Sequence, residues 1–192
     1  MWKLLQIELY KIFRRPRTYI SFAAITALIG VIQLGLTMDG EAYIDFLMSS
    51  LKDTFEFDGK ILNGYLVCYV ILQLLLIHVP LLIALIAADM ISGEANMGTL
   101  RLLLTKPVSK TSFMLAKFFA SATYTFLLLV WIAFLALGGS IFLFGTDDML
   151  LQKTSYVVQI AQDDVFWRYT GAFCFAFLSM LTLMNGICVA AA

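Results

Sequence analysis

Histidine is nearly missing from this chain of 192 residues, where His78 is the single one. A lone imidazole excludes a histidine-based metal cluster. Cysteine is sparse as well. Cys68, Cys174 and Cys188 all fall in apolar runs, their number is odd and no C-x-x-C spacing occurs. Neither a disulfide framework nor a metal site is implied, and plain core cysteine is the reading. No G-x-x-x-x-G-K-[ST] loop is present to cradle nucleotide phosphates, and neither H-E-x-x-H nor G-x-S-x-G occurs. Nothing assembles a nucleophile, a base and an orienting group. Any work this protein performs must draw its energy from a partner or from an ion gradient.

Charge is the next scarcity. Charged residues make up 14% of the chain and apolar ones 61%, against about a quarter and about half in soluble domains. Four stretches, 18–38, 61–88, 118–146 and 169–192, hold no Asp, Glu, Lys or Arg at all. Each exceeds the ~20 residues that cross a ~30 Å hydrocarbon core. The second and third are longer than needed, so their ends tilt or lie among headgroups. The chain reads as an all-α, polytopic membrane protein with at least four transmembrane helices. All 13 acids lie outside the four runs, which argues against an ion-driven transporter with its intramembrane carboxylates.

The distribution of cations orients the chain. With the N-terminus in the cytoplasm, that side collects Lys3, Lys11, Arg14, Arg15, Arg17, Arg101, Lys106, Lys110 and Lys117. The opposite side keeps Lys52, Lys60, Lys153 and Arg168. This is a positive-inside bias. The acids fall the other way, with Glu8, Asp89 and Glu94 inside and the rest outside.

Residues 1–17, MWKLLQIELYKIFRRPR, form an amphipathic helix. Trp2, Leu5, Leu9, Ile12 and Phe13 share one arc, and Lys3, Lys11, Arg14 and Arg15 lie opposite, blurred by Leu4 and Ile7. Such a helix lies in the inner-leaflet interface, in contact with lipid, and Pro16 ends it before the first span. A secretory leader is the rival reading, but the basic region is long, the apolar run is span-length and no A-x-A site follows.

Between the first two spans, Tyr43, Phe46, Leu47 and Leu51 recur at helical spacing, so 39–60 holds a short interfacial helix or a solvated linker. The 145–168 connection carries Asp147–Asp148 and Asp163–Asp164, which read as a solvated acidic face rather than a cation site. Pro80 should kink the second span and free a carbonyl. Gly138 and Gly139 permit a close helix approach or a bend in the third. Polar side chains within the spans are few. Gln33, Gln73, His78 and Asn185 are the candidates for a substrate path, although for His78 a neutral histidine bonded to a neighbouring helix is the preferred reading.

The stretch 89–117, DMISGEANMGTLRLLLTKPVSKTSFMLAK, interrupts two apolar runs without being an ordinary loop. Met97, Leu100, Leu103 and Leu104 recur at helical spacing with Arg101 and Thr105 on the other side. Gly93 and Gly98 loosen its start, and Pro107 stops the helix by pushing Lys106 out of the α region. Ser109 offers an N-cap to the helix that follows. Lys117 opens the third span, its stem snorkelling to the inner headgroups.

In order and spacing this stretch resembles the cytoplasmic-loop signature of the type-2 ATP-binding-cassette (ABC) transporter permease family. The matching residues are Glu94, Gly98-Thr99-Leu100, Leu103-Leu104, Pro107-Val108-Ser109, Lys110 and Lys117. The resemblance implies a single transmembrane domain over 1–192, with 1–17 as an elbow on the membrane and 89–117 as a coupling loop. It implies a membrane-spanning exporter subunit of a bacterial cytoplasmic membrane. A separate cytoplasmic ATP-binding subunit would carry ATP and Mg, and a second permease copy or paralogue would complete the transporter. This chain would bind no cofactor and do no catalysis itself; nothing in it points to nucleic acid. Family members usually have six spans, so either two C-terminal spans are expected beyond the four here, which is the favoured reading, or the subunit is a shortened one. Contact with the ATPase subunit would fall to Glu94, Met97, Gly98, Thr99, Leu100, Arg101, Leu104 and Pro107. A membrane anchor or sensor that recruits a partner through the same helix is the alternative. A membrane-embedded enzyme built on His78 and the Asp pairs is disfavoured, because His78 lies mid-span and away from them.

Overall fold

Long runs of Leu, Ile, Val and Phe, with proline at only three positions, fold as long helices in the computed structural model, which describes residues 2–52, 62–96, 110–146, 149–153 and 156–190. Helix α1 (Trp2–Arg14) gives way at Arg15 to α2 (Pro16–Lys52). Pro16 takes the first helical position, where its missing N–H has no intrahelical partner to lose. α3 (Gly64–Asn96) runs through Pro80. α4 (Lys110–Ala133) passes through a π-helical turn, Phe134–Gly138, into α5 (Gly139–Phe144). An antiparallel hairpin of β1 (Met149–Lys153) and β2 (Tyr156–Ile160) precedes α6 (Gln162–Ala190). Among the described residues four stretches are long and apolar enough to cross a membrane: Thr18–Gly40, Gly64–Ile86, Thr111–Phe144 and Gln162–Leu183. The chain is a polytopic helical membrane protein.

Several boundaries differ from those drawn by charge alone. The helix expected around Tyr43–Leu51 is the tail of α2, which continues unbroken to Lys52. α3 runs past Asp89 and Gly93 to Asn96, and α4 is already helical from Lys110. The stretch 89–117 is thus helical at both ends, and 97–109 between them lies outside the described residues. The 145–168 connection contains the hairpin, whose register sets Leu151 opposite Val158 and Met149 opposite Ile160.

The chain divides into two compact units. In the first (Met1–Ala23, Ile77–Val130, Cys174–Ala192), Val79, Ile83 and Ile86 of α3 are buried, as are Ala116, Ala120, Tyr124 and Leu128 of α4. These positions recur every three or four residues, one face of a helix. Alanines at this spacing let a neighbouring helix come close. Ser121 and Thr125, also buried, donate to the carbonyls of Phe118 and Ser121 in their own helix (2.9 and 3.0 Å). Their hydroxyls are satisfied without a second helix. Tyr124 stands edge-on to Phe22 of α2, with ring centroids 5.9 Å apart. Its buried hydroxyl has no well-aligned hydrogen-bond partner among the described residues, with Ser21 beside it. An unmet buried hydroxyl costs about 1–3 kcal/mol. Tyr124→Phe is therefore expected to melt at the parent's temperature or slightly above it, an outcome that a thermal melt in detergent reads directly.

The second unit (Ala24–Leu76, Trp131–Phe173) buries Ile25, Ile29 and Gln33 of α2, Val67, Cys68, Ile71 and Leu75 of α3, and Ile132, Ala136 and Ser140 of the third span. The last three are four residues apart, a spacing that drifts around a 3.6-residue helix. The π turn adds a residue there and holds Ala136 and Ser140 on the face of Ile132. It also exposes carbonyls to outside donors. Gln33 Nε2 donates to the Leu135 carbonyl (2.9 Å) and to Ser140 Oγ (3.1 Å). A Cβ on Gly139 would stand 2.9 Å from the Gln33 amide, so glycine admits that side chain, while Gly138 faces open space.

One end of this unit is closed by backbone. Asn63 is fully buried and caps α3, its side-chain oxygen accepting from the Leu66 N–H (2.9 Å). The Gly64 N–H donates to the Gly145 carbonyl (3.1 Å) just past α5. Tyr169 of α6 stacks on Tyr65 of α3, centroids 6.3 Å apart, and its hydroxyl donates to the Tyr65 carbonyl (2.8 Å).

Candidate functional site

Among the described residues no three His, Cys, Asp or Glu side chains gather to hold a metal. Cys68 is buried and Cys174 exposed, both as free thiols. Residues 97–109 join two helices that each contain a candidate membrane span, and the chain is helical on both sides of that segment.

The first end is the C-terminus of α3. Asp89 and Glu94 lie in its last turns, so the segment leaves from a helix that is continuous with a membrane span. The second end is Lys110, the first residue of α4 and of the third span's helix. Met97, Gly98, Thr99, Leu100, Arg101, Leu104 and Pro107 lie outside the described residues, and Glu94 is described by its backbone alone.

Two turns into α4, the sequence expectation for Lys117 fails. Its side chain does not snorkel to headgroups; it is only 3% exposed. Its Nζ lies 3.3 Å from Glu8 Oε2 of α1, across 109 residues of sequence. The Glu8 side chain is 7% exposed, and its other oxygen accepts from Lys11 Nζ at 2.9 Å. Lys117 Nζ also sits 4.9 Å from the centroid of the Phe113 ring, a favourable cation–π distance. A buried lysine needs such partners, because removing an ammonium from water unpaired costs several kcal/mol.

This pair turns α1 away from the face its apolar arc predicts. Glu8 and Ile12 are the buried positions. Leu4, Leu5, Leu9, Lys11, Phe13 and Arg15 are half-buried, whereas Trp2 is 70% exposed and Arg14 is exposed. The protein-facing side is rotated from the Trp2–Leu9–Phe13 arc by less than one residue's ~100° step. That rotation leaves Trp2 free for the membrane interface while Ile12 and Glu8 meet the protein. The corner into α2 is tied as well, since Thr18 Oγ1 donates to the Ile12 carbonyl at 2.5 Å and the Arg15 and Thr18 amides close a turn.

The candidate path residues are not alike. Gln33 is buried and bound to the π turn, so its amide serves as a tie between helices. Gln73 and His78 on α3 are exposed, and the Asn185 side chain lies outside the described residues. Of the acid pairs, Asp163 and Asp164 begin α6, where carboxylates favour a helix N-terminus. Asp164 pairs with Arg168 one turn on (2.7 Å). Asp147 and Asp148 are not among the described residues.

Sequence reasoning missed Glu8. Its signal was weak but present: it is the only acid among the first 38 residues, in a helix with several cations, and it borders Ile12 on the helix surface. Comparison with known families adds a finding that spans the chain. A family model described as ABC-2 family transporter protein matches residues 2–192. No curated protein matches the sequence.

Proposed function

The chain belongs to the ABC-2 transporter family and is a membrane-spanning permease subunit, and from that premise we propose that it is moved by ATP hydrolysis on a separate cytoplasmic subunit to export its substrate. One observation carries the reading. The segment 97–109, with its ordered Gly98-Thr99-Leu100 and Pro107-Val108-Ser109, joins α3 to α4, and each of these helices belongs to a membrane span. A push on that segment is a push on two spans, because both its ends are covalently tied to them.

In this reading the segment lies in the cytoplasm, in keeping with the positive-inside bias. Met97, Leu100 and Leu104 enter a groove of the ATP-binding subunit as a helix-in-groove contact, with Gly98, Thr99 and Pro107 shaping the segment. Arg101 and Glu94 set the register as rim charges. ATP and Mg stay on the partner. Two permease chains, identical or paralogous, enclose the path, and nucleotide-driven closure of the partner shifts them between access states. Gln73, His78 and Asn185 are the polar groups offered to the substrate, while Gln33 is committed to the π turn.

The test is assembly. The chain is co-expressed with a candidate ATP-binding protein that carries a phosphate-binding loop, and the two are purified together and placed in lipid nanodiscs. The expected result is a stable complex whose ATP hydrolysis differs from that of the isolated ATP-binding protein. An ATP-binding protein that neither associates with the chain nor changes its turnover would remove the proposal and leave the membrane-anchor alternative.

A further inference from the structure

The buried ion pair between α1 and α4 has a mechanical consequence. We propose that Glu8 is a positioning residue that makes the interfacial helix and the start of the third span one moving body, so that a displacement of the 97–109 segment is delivered to α1 as well as to α3 and α4. The inference rests on the coupled reading above and adds an output to it.

Placement carries the argument. Lys117 lies seven residues after Lys110, about two turns or ~10 Å along α4, close behind the segment's exit. Glu8 lies midway along α1 and is held from both sides, with Lys117 Nζ at 3.3 Å and Lys11 Nζ at 2.9 Å. The C-terminal end of α1 is fixed separately by the Ile12–Arg15–Thr18 bonds at its corner with α2. α1 is therefore clamped at two points and cannot follow the membrane independently of α4. Stability is a poor explanation for the pair, since well-packed apolar residues of similar volume commonly serve as well as a buried ion pair or better. What a buried pair supplies in addition is register. It has one favourable alignment, and a slip of one turn separates Lys117 from Glu8 and leaves the buried ammonium without its carboxylate.

α1 also carries a built-in reporter. Trp2 is 70% exposed on its free side, and replacing the other two tryptophans, Trp131→Phe and Trp167→Phe, leaves it as the sole indole. In nanodiscs containing brominated phospholipid, quenching of Trp2 follows the position of α1 against the bilayer. The experiment compares the parent, Glu8→Gln, Lys117→Met, the exchange Glu8→Lys/Lys117→Glu and the double truncation Glu8→Ala/Lys117→Ala. The truncation keeps no orphan charge of the pair and serves where a single change lowers the yield. Each is measured alone and with the ATP-binding partner, before and after a non-hydrolysable ATP analogue.

In the parent complex the analogue is expected to shift Trp2 quenching. Glu8→Gln, Lys117→Met and the truncation bind the partner as the parent does, because 97–109 is untouched, yet lose the shift. The charge exchange recovers it. If the folded variants keep the parental shift, the pair only stabilises the fold and the inference is overturned. A parent complex that assembles and hydrolyses ATP with Trp2 unmoved overturns it too. Failure of the parent chain to bind the partner at all overturns the functional reading and takes the coupling role of Glu8 with it. That outcome is recognised on the parent before any substitution is compared.

Discussion

Gly64→Ala is expected to destabilise the fold by about 3 kcal/mol or more, although alanine is the better helix former. A Cβ at this position would stand 2.7 Å from Ile141 Cα, 2.7 Å from the Ser140 carbonyl oxygen and 2.8 Å from the Gly145 carbonyl oxygen. All three are backbone atoms, so no rotamer change makes room. The backbone there is also held in place. The Gly64 N–H binds the Gly145 carbonyl, the Gly145 N–H binds the Ile141 carbonyl, and Gly145 adopts φ 80° and ψ −177°, a region essentially reserved for glycine. Helix propensity favours alanine by at most ~1 kcal/mol, and overpacking against atoms that cannot move exceeds it. Gly30, Gly35, Gly138 and Gly171 supply the control. No atom of the described residues lies within 4 Å of a Cβ at any of them, so their alanine variants are expected to melt with the parent or slightly above it. A Gly64→Ala protein that melts as high as the Gly30→Ala control would show that α3 and α5 do not meet this closely.

Why that junction was invisible in the sequence is a matter of range. The four spans were legible because absence of charge is a local property that a window of residues reports. The ends of the spans were not, because a charge was taken as a sign of water or headgroups. Lys117 was placed at the mouth of the third span on that ground, yet its neutralising partner is Glu8, 109 residues away. At Asp89 and Glu94 charge marks the end of the apolar span, whose candidate stretch closes at Ile86, but not the end of the helix, which runs on to Asn96. Gln33 was grouped with polar span residues as a substrate contact. Its partner is a carbonyl in a π turn whose advance sign is Gly138–Gly139, and of these Gly139 meets the Gln33 amide closely while Gly138 does not. The hairpin was passed over for the acid pairs that flank it, although Tyr156-Val157-Val158 is β-branched and aromatic, the composition that favours a strand. The family, by contrast, was readable from one short ordered stretch, and the match over residues 2–192 agrees with it.

Replacing both Leu100 and Leu104 by Asp is expected to reduce affinity for the ATP-binding subunit about a thousand-fold, with loss of coupled ATP hydrolysis, because two interface anchors worth ~2 kcal/mol each sum to ~4 kcal/mol. The substitutions act twice. They remove apolar side chains from the proposed groove, and they place carboxylates where desolvation is unfavourable unless a cation receives them. Neither residue lies in a charge-free run that forms a span, so insertion and folding of the helices should be preserved, and unchanged melting of the isolated permease checks this. Two milder variants separate the causes. Leu100→Ala/Leu104→Ala removes the contact without adding charge and should weaken association less. Arg101→Glu alters only a rim charge, with an effect under ~1 kcal/mol that fades with salt. Co-purification and nucleotide turnover in nanodiscs read all three. If the double Asp variant co-purifies with the partner and stimulates it as the parent does, the leucine face of 97–109 is not the docking surface, and the force that moves α3 and α4 must enter the chain elsewhere.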